Sequence, residues 1–430
     1  MSERSIAACV LKEMLAAKED AVWMIQSWQS NPASELLAGL SDVENGKDHA
    51  LILDLYAEKN PHHHEGKAGN PNHGYTPEFD GTPWLYCMLN NFGGRLGLHG
   101  HLDNMAKKIP YAYNNCQKIT GIGITPEASV NNPVLYDFLF DCIWQENANE
   151  PMAEIDLSSW LSDYAERRYG KKSTGAEKAW DIFKETVYKA ELNILGQGAP
   201  ECVFNARPTL EVKTASTWGN AVIAYDKKDL EQATKLLLSD YSELQKSPGY
   251  RYDVATALQQ ILSNQCQDTY HEMVAAYHNK DAEAFEKLST EFLAYAEKME
   301  TVTGSSEYYL LGTWVERAKA LAKNADDFTK KLYEMNAKSL ITTWGSYNQS
   351  EIGKLHDYSN RQWSGLIGDF YKKRWERWID ARLRELKGEP YPEKIDWFAW
   401  EWAWVRDNKA YPNTPQETDL SGLAKEILTV

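Results

Sequence analysis

The segment from Trp84 to Asn132, WLYCMLNNFGGRLGLHGHLDNMAKKIPYAYNNCQKITGIGITPEASVNN, decides the fold of this chain. It contains two short apolar runs, Trp84–Leu89 and Thr120–Ile124, and each run ends in a cluster of polar residues. Runs of this length and composition predict buried strands that lead into loops. Parallel barrels carry their catalytic groups in the loops at the carboxyl ends of such strands. We therefore expect functional side chains just after Leu89 and just after Ile124.

The elements around this segment alternate between strands and helices. The predicted order is helix, strand, helix, strand, long loop, strand, helix, strand and helix, at Ser5–Lys18, Ala21–Ile25, Ser34–Leu40, His49–Tyr56, Trp84–Leu89, Leu98–Lys108, Thr120–Ile124 and Pro133–Gln145. This alternation predicts parallel strands joined by crossover helices. Four strands are half the number that a closed barrel of this type needs. We therefore expect residues 1–148 to form half of a (β/α)8 barrel, which the family resemblance given below identifies as the C-terminal half.

The rest of the chain, residues 149–430, consists of long amphipathic runs. They lie at Ala153–Tyr169, Gly175–Leu192, Lys228–Gln245, Tyr252–Asn279, Ala282–Glu300, Ser306–Asn336 and Asn360–Lys387. No strand-like alternation of any length interrupts them, so an all-helical domain is expected after the partial barrel. The predicted fold class is α/β plus all-α.

Composition and charge exclude several classes of function. The 430 residues carry a formal net charge of −16, which argues against a nucleic-acid groove or an anionic membrane surface, since both need clustered Lys and Arg. No apolar run approaches the roughly 20 residues of a membrane helix. The six cysteines have neither zinc-type nor disulfide-framework spacing. We expect no cofactor and no metal, and a substrate that is neutral or locally steered.

Glu127, in the sequence TPE, is the candidate catalytic carboxylate. An alternative interpretation is purely structural, because Thr125 could cap a helix with Pro126 at its first position and Glu127 in its first turn. The pair Asn132-Pro133 is a better helix start just downstream. This favours a loop at 125–129, with Glu127 just beyond the end of a buried strand.

Two other polar groups follow the predicted strand at His49–Tyr56. Asp54 and Glu58 are interpreted as loop hydrogen-bond acceptors or orienting residues, and neither is assigned a catalytic role. The range His62–Glu65, with three histidines and a glutamate, is the only apparent metal cluster. It lies in a loop rich in Gly, Asn and Pro without helical spacing, so a solvated loop is expected. A metal-dependent hydrolase that uses His62–His64 stays the less favoured alternative.

Seven short motifs resemble, in the same order, the alpha-N-acetylglucosaminidases of glycoside hydrolase family 89. They are WMIQSW at Trp23–Trp28, LILDLYAE at Leu51–Glu58, CMLNNFGG at Cys87–Gly94, GIGITPE at Gly121–Glu127, YRYDV at Tyr250–Val254, LLGTWVERA at Leu310–Ala318, and the segment Trp344–Tyr358. Each motif is short, but their shared order over nearly the whole chain is specific. The resemblance implies a retaining, exo-acting glycosidase that releases terminal alpha-linked GlcNAc.

The resemblance also implies roles for individual residues. It places the catalytic nucleophile on Glu127 and sugar-pocket positions on Trp28, Trp344, Leu355 and Tyr358. Aromatic faces can stack on pyranose rings, although most of the sixteen tryptophans are expected in the core.

The loop after Leu89 is a second place where contact with a ligand is expected, because its asparagines and glycines let the backbone approach a ligand closely while an amide binds sugar hydroxyls. Asn91 is expected to bind substrate through its amide, and a tight turn around Gly93 is the structural alternative. Arg95 stands where members of this family often carry a smaller polar residue, so the local shape of the pocket is expected to differ.

The family carries its general acid/base on an Asn-Glu pair at an earlier strand end, and no residue before Ser5 supplies it. The chain therefore resembles a member that lacks the upstream half of the barrel, and we expect either a separate N-terminal barrel half or an oligomer as partner. A noncatalytic carbohydrate-binding remnant, or a subunit of a split enzyme, is the alternative. The chain has no signal-peptide pattern at its start, whereas relatives are often exported or lysosomal, so the compartment stays open.

Overall fold

The structure is a computed structural model that describes residues 2–63, 77–144, 150–194, 196–390 and 394–428. The chain divides into two compact units. The first comprises Met1–Asn90, Gly100–Trp160 and Tyr188–Ile194, and the second comprises Asn91–His99, Leu161–Val187 and Leu195–Val430. The units are thus interleaved along the chain, and the loop that follows the third strand belongs to the second unit. The boundary expected near residue 148 stays a prediction.

The first unit contains a parallel sheet with helices between its strands. Its elements are α1 (Glu3–Ala17), β1 (Trp23–Ser27), α2 (Ser34–Ser41), β2 (Ala50–Asp54), β3 (Trp84–Met88), α3 (Leu102–Asn115), β4 (Ile119–Ile124) and α4 (Pro133–Ile143). The four strands lie in the order β1-β2-β3-β4 and every pair is parallel. The predicted half barrel is confirmed, with each strand within a few residues of its expected position.

The two central strands form the core of this unit. Ile52 on β2 and both Trp84 and Tyr86 on β3 have no exposed surface. By contrast, β1 and β4 each pair on one side only among the described residues, and Met24 on β1 is 60% exposed. The sheet therefore has two open edges within the part of the chain that the structure describes.

The remaining elements are helices. They are α5 (Leu157–Tyr169), α6 (Thr174–Glu185), α7 (Lys227–Leu238), α8 (Tyr241–Leu244), α9 (Pro248–His278), α10 (Ala282–Gly304), α11 (Leu311–Leu321), α12 (Asp327–Leu340), α13 (Lys372–Leu386), α14 (Trp397–Val405) and α15 (Leu420–Ile427). Helix α9 begins with Ser247 as N-cap and Pro248 in its first turn, as helix-start chemistry requires. It has buried residues around most of its circumference, which is typical of a helix surrounded by others. The predicted all-helical domain is confirmed.

Two predicted helical runs were too long. The run Ser306–Asn336 is broken after α11, because the Asp326 side chain caps a new helix by accepting a hydrogen bond from the Thr329 N–H at 2.7 Å. The run Asn360–Lys387 becomes an α-helix only at Lys372, after a single turn of π-helix. No helix among the described residues is both long and apolar enough to cross a membrane.

Candidate active site

The loop that carries Glu127 begins where β4 ends. The Thr125 N–H donates to the Met88 carbonyl at 2.9 Å, and the Thr125 hydroxyl donates to the Leu55 carbonyl at 2.8 Å. One residue therefore ties the start of the loop to the carboxyl ends of β2 and β3. Glu127 lies two residues further on and its side chain is exposed. The carboxylate is thus held at the carboxyl end of a parallel sheet, where it is open to solvent.

The structural alternative for this loop is wrong. Residues 125–129 are not helical, and α4 begins at Pro133. Asn132 precedes it with a φ of 42°, a left-handed conformation that Asn tolerates better than most residues. The first turn of a helix therefore does not explain the TPE sequence.

Glu58 is a buried anchor for the neighbouring loop. Its carboxylate accepts hydrogen bonds from the backbone N–H groups of Leu89, at 3.1 Å, and Asn90, at 2.7 Å. The side chain is 1% exposed, and this burial raises the pKa of the Glu58 carboxyl to about 8, although the two N–H donors lower it in part. The contacts agree with the interpretation of Glu58 as an orienting acceptor.

The expectation of a solvated loop is wrong for His62 and His63. Both side chains are at most 3% exposed. His62 Nδ1 lies 2.7 Å from Ser27 Oγ, and His63 Nδ1 donates to Asp54 Oδ2 at 2.6 Å. The His63 ring also stacks on Trp84 with 4.4 Å between ring centroids. These contacts, made by residues far apart in sequence, withdraw the histidines from water.

His64 and Glu65 of the apparent metal cluster lie outside the described residues. Among the residues that are described, no group of three or more His, Cys, Asp or Glu side chains is placed to hold a metal ion.

Trp28 follows β1 in the first unit. Its backbone exchanges two hydrogen bonds of 3.0 Å with Asn31, which closes a tight turn. The indole is half-buried and lies 6.3 Å from the Tyr56 ring, centroid to centroid. An aromatic face is therefore fixed at the end of the first strand, and its role as a sugar platform stays a prediction.

Asn91 belongs to the second unit and is 2% exposed. Its amide nitrogen donates to the Arg95 carbonyl at 2.9 Å, so the NH2 group of this amide makes a hydrogen bond within the loop. Gly93, with a φ of 63°, approaches the backbone of Tyr358 so closely that an added Cβ would lie 2.5 Å from the Tyr358 carbonyl oxygen. The need for glycine at this position is explained by packing on the Tyr358 backbone.

Trp344, Leu355 and Tyr358 come together in the second unit. The rings of Trp344 and Tyr358 meet edge to face with 5.0 Å between centroids, and the Tyr358 N–H donates to the Leu355 carbonyl at 3.1 Å. All three side chains are half-buried. We call these three residues the aromatic patch. Asn91 belongs to the same unit as these three residues, whereas Trp28 and Glu127 lie in the first unit, and the assignment of all of them to a sugar site stays a prediction.

Buried charges that sequence reasoning missed hold the aromatic patch. Asp357, next to Tyr358, accepts two hydrogen bonds from Arg374 at 2.8 and 2.9 Å, and neither side chain is exposed. Arg374 also pairs with Glu401 at 3.0 Å. A signal was present in the sequence, because Arg374 lies four residues after Phe370 on a helical face that is otherwise apolar. A charge on such a face needs a buried partner.

Arg207 makes a second set of ion pairs, which hold the loop between Trp344 and Tyr358. Its guanidinium donates to Glu351 at 2.7 and 2.9 Å and to Glu401 at 2.7 and 2.9 Å. Burial raises the pKa of the Glu351 carboxyl, but the hydrogen bonds from Arg207 outweigh this and hold it at about 2. The loop between Trp344 and Tyr358 is therefore anchored by charges that stay ionised at neutral pH.

Comparison with known proteins agrees with this architecture. Residues 2–146 match the family model of the alpha-N-acetylglucosaminidase (NAGLU) tim-barrel domain, and residues 160–429 match that of the NAGLU C-terminal domain. The human alpha-N-acetylglucosaminidase is 30% identical over 432 aligned residues, which cover 97% of this chain and 53% of the human protein.

Solved structures of similar proteins come from Clostridium perfringens. A family 89 glycoside hydrolase in complex with PUGNAc is 40% identical, with a TM-score of 0.91 over 99% of this chain and 46% of that one. A form with two Glu→Gln substitutions, in complex with its substrate GlcNAc-alpha-1,4-galactose, is 39% identical with a TM-score of 0.92, over 100% of this chain and 46% of that one. The chain thus spans about half the length of these relatives, and it belongs to the alpha-N-acetylglucosaminidase family.

Proposed function

We propose that this chain contributes to a retaining, exo-acting alpha-N-acetylglucosaminidase that releases terminal alpha-linked GlcNAc from a glycan. The observation that carries the proposal is the exposed Glu127 carboxylate at the carboxyl end of β4, where Thr125 ties its loop to two neighbouring strands. Trp28 in the first unit and the aromatic patch in the second each offer an aromatic face of the kind that stacks on a pyranose ring. The known activity and ligands of the relatives give the proposal its substrate class.

The chemistry of the substrate explains the need for this carboxylate. In an alpha-linked GlcNAc unit the leaving group lies on the same face as the 2-acetamido group, so the acetamido oxygen cannot attack from the opposite face. The protein must supply the nucleophile. Glu127 would attack the anomeric carbon and form a glycosyl-enzyme ester while the glycosidic oxygen leaves, and water would then hydrolyse the ester with net retention.

A retaining mechanism needs a second carboxyl group about 5 Å from the first, which protonates the leaving oxygen and then activates water. Glu58 does not suit this role, because it is 1% exposed and occupied by the N–H groups of Leu89 and Asn90. We assign the acid/base to a separate barrel half that pairs with the open edges of β1 and β4. The exposure of Met24 and the half-length match to the relatives support this assignment.

The partner is tested by analytical ultracentrifugation of the purified chain and by its unfolding in urea. We expect the purified chain to self-associate through its open sheet edges when the other half is absent. A monomer that unfolds in one cooperative step would contradict the need for a partner.

The nucleophile is tested with 2,4-dinitrophenyl alpha-GlcNAc, whose leaving group departs without protonation. We expect a burst of dinitrophenolate from the wild-type chain, no burst from Glu127→Gln, and an unchanged burst from Glu44→Gln, which removes a surface carboxylate of the same unit. Equal release by wild type and Glu127→Gln would refute the role of Glu127. Ligand binding without any release by folded protein would instead identify a noncatalytic carbohydrate-binding chain.

A further inference from the structure

A buried ion pair between Arg95 and Glu201 lies inside the second unit. Arg95 Nη1 donates to Glu201 Oε1 at 3.0 Å and to Ser216 Oγ at 2.9 Å, and Arg95 Nε donates to the Phe92 carbonyl at 3.0 Å. The two charged side chains are 2% and 1% exposed. The Arg95 guanidinium therefore connects the loop after β3 to Glu201 and Ser216, which lie much further along the chain.

Glu201 is saturated by donors of the protein. Besides Arg95, its carboxylate accepts hydrogen bonds from the Ala215 N–H at 2.9 Å, from the Ser216 N–H at 3.0 Å and hydroxyl at 2.6 Å, and from the Asn360 amide at 3.1 Å. A carboxylate offers about four lone-pair directions. Glu201 is therefore a fixed structural anion that has no capacity left for a ligand.

The guanidinium that Glu201 holds lies over the ring of Tyr358. The distance from Arg95 Cζ to the Tyr358 centroid is 5.6 Å, within the range of a cation–π contact. Trp344 and Trp218 contact the same ring with their planes nearly perpendicular to it, at 5.0 and 5.8 Å between centroids. Arg95, Trp344 and Trp218 thus restrict the orientation of one aromatic ring.

The backbone reinforces the same connection. The Gly93 carbonyl accepts hydrogen bonds from Ser359 Oγ and from Arg361 Nη1, and the Arg95 carbonyl accepts the Asn91 amide. Two residues that follow Tyr358 in the chain are therefore attached to the loop that carries Arg95. A shift of Arg95 would be transmitted to two of the candidate sugar-binding residues, Tyr358 and Asn91.

We propose that Arg95 is a positioning residue of the sugar site, which fixes the ring of Tyr358 against Trp344 and so sets the affinity for the sugar ring. It acts through Tyr358, because it is itself buried and paired. The inference rests on the proposed function, since it assumes that the aromatic patch binds a sugar. Lysine cannot replace Arg95, because a point charge lacks both the planar face that lies over Tyr358 and the separate Nε–H that binds the Phe92 carbonyl while Nη1 binds Glu201 and Ser216.

The test compares two variants by calorimetric titration with PUGNAc. The double variant Arg95→Gln with Glu201→Gln removes both charges, so that no unpaired charge is left buried. We expect it to fold and to bind with a Kd about tenfold higher than wild type, and we expect Arg95→Lys to give no rescue. The matched control is Arg168→Gln with Asp253→Asn, which removes a different ion pair of the same unit, bidentate at 2.7 and 2.9 Å, and should leave the Kd unchanged.

A Kd within about twofold of wild type for the folded Arg95→Gln, Glu201→Gln protein would overturn the inference, as would an equal loss in the control pair. If the wild-type chain binds no ligand, the proposed function fails, and a crystal structure of the double variant decides the inference separately. A displaced Tyr358 ring would then support the positioning role. A ring in its original place would refute it.

Discussion

The burial of Glu58 predicts that the free energy of unfolding of the first unit depends on pH. Burial raises its pKa from 4.5 to about 8 in the folded chain. The unfolded chain therefore releases this proton at lower pH than the folded chain does. The protonated Glu58 carboxyl therefore contributes stability to the folded chain. This contribution is fully present below the unfolded pKa of 4.5 and is lost as the pH rises through the folded value of about 8.

The expected magnitude follows from the size of the shift. Each unit of pKa difference corresponds to about 1.4 kcal/mol, so this one group should lower the free energy of unfolding by about 2–3 kcal/mol between about pH 5 and about pH 7. Glu58→Gln abolishes the titration but keeps an oxygen that accepts the N–H groups of Leu89 and Asn90. We expect the variant to match wild type within about 1 kcal/mol at about pH 5 and to exceed it by about 2–3 kcal/mol at about pH 7.

The assay is urea unfolding at several pH values, followed by circular dichroism and by hydrogen exchange of the β3 amides, which report on the first unit. Glu44→Gln serves as the control, because it removes an exposed carboxyl of the same unit. The difference between the Glu58→Gln and Glu44→Gln proteins should grow with pH. Parallel stability curves for wild type and Glu58→Gln would refute the reasoning, because they would show that the carboxyl does not titrate differently in the two states.

Two further predictions concern the loops beside the candidate site. Gly93→Ala should lower the free energy of unfolding, measured in urea, by more than about 2 kcal/mol, because its Cβ would meet the Tyr358 carbonyl at 2.5 Å. The control is Gly170→Ala, where the φ of 75° is similar and nothing lies within 4 Å of the added Cβ. It should lower the free energy of unfolding by about 1 kcal/mol. Equal losses would show that the contact with Tyr358 is unimportant. Thr125→Val removes the 2.8 Å bond to the Leu55 carbonyl and should slow the dinitrophenolate burst about tenfold, whereas Thr125→Ser should keep it; a full-rate burst from Thr125→Val would contradict the anchoring role.

The regular elements were predictable because their causes are local. The runs at Trp84–Leu89 and Thr120–Ile124 are strands, and Asn132-Pro133 starts a helix, since apolar runs and helix-start chemistry involve only residues a few positions apart. The errors arose where long-range contacts decide the outcome. His62 and His63 lie in a stretch whose sequence predicts a solvated loop, yet their side chains are buried against Ser27 on β1 and Asp54 on β2.

The sequence by itself determined the half barrel, the helical domain, the family and the candidate residues Glu127, Trp344 and Tyr358. The tertiary structure alone decided which charges hold the segment around Tyr358 in place. Arg95 and Glu201 are 106 positions apart and Asp357 and Arg374 are 17 apart, and neither spacing belongs to a helix turn or a strand pair. Burying such charges is favourable only when each finds its partner, and that pairing exists only after the chain has folded back on itself.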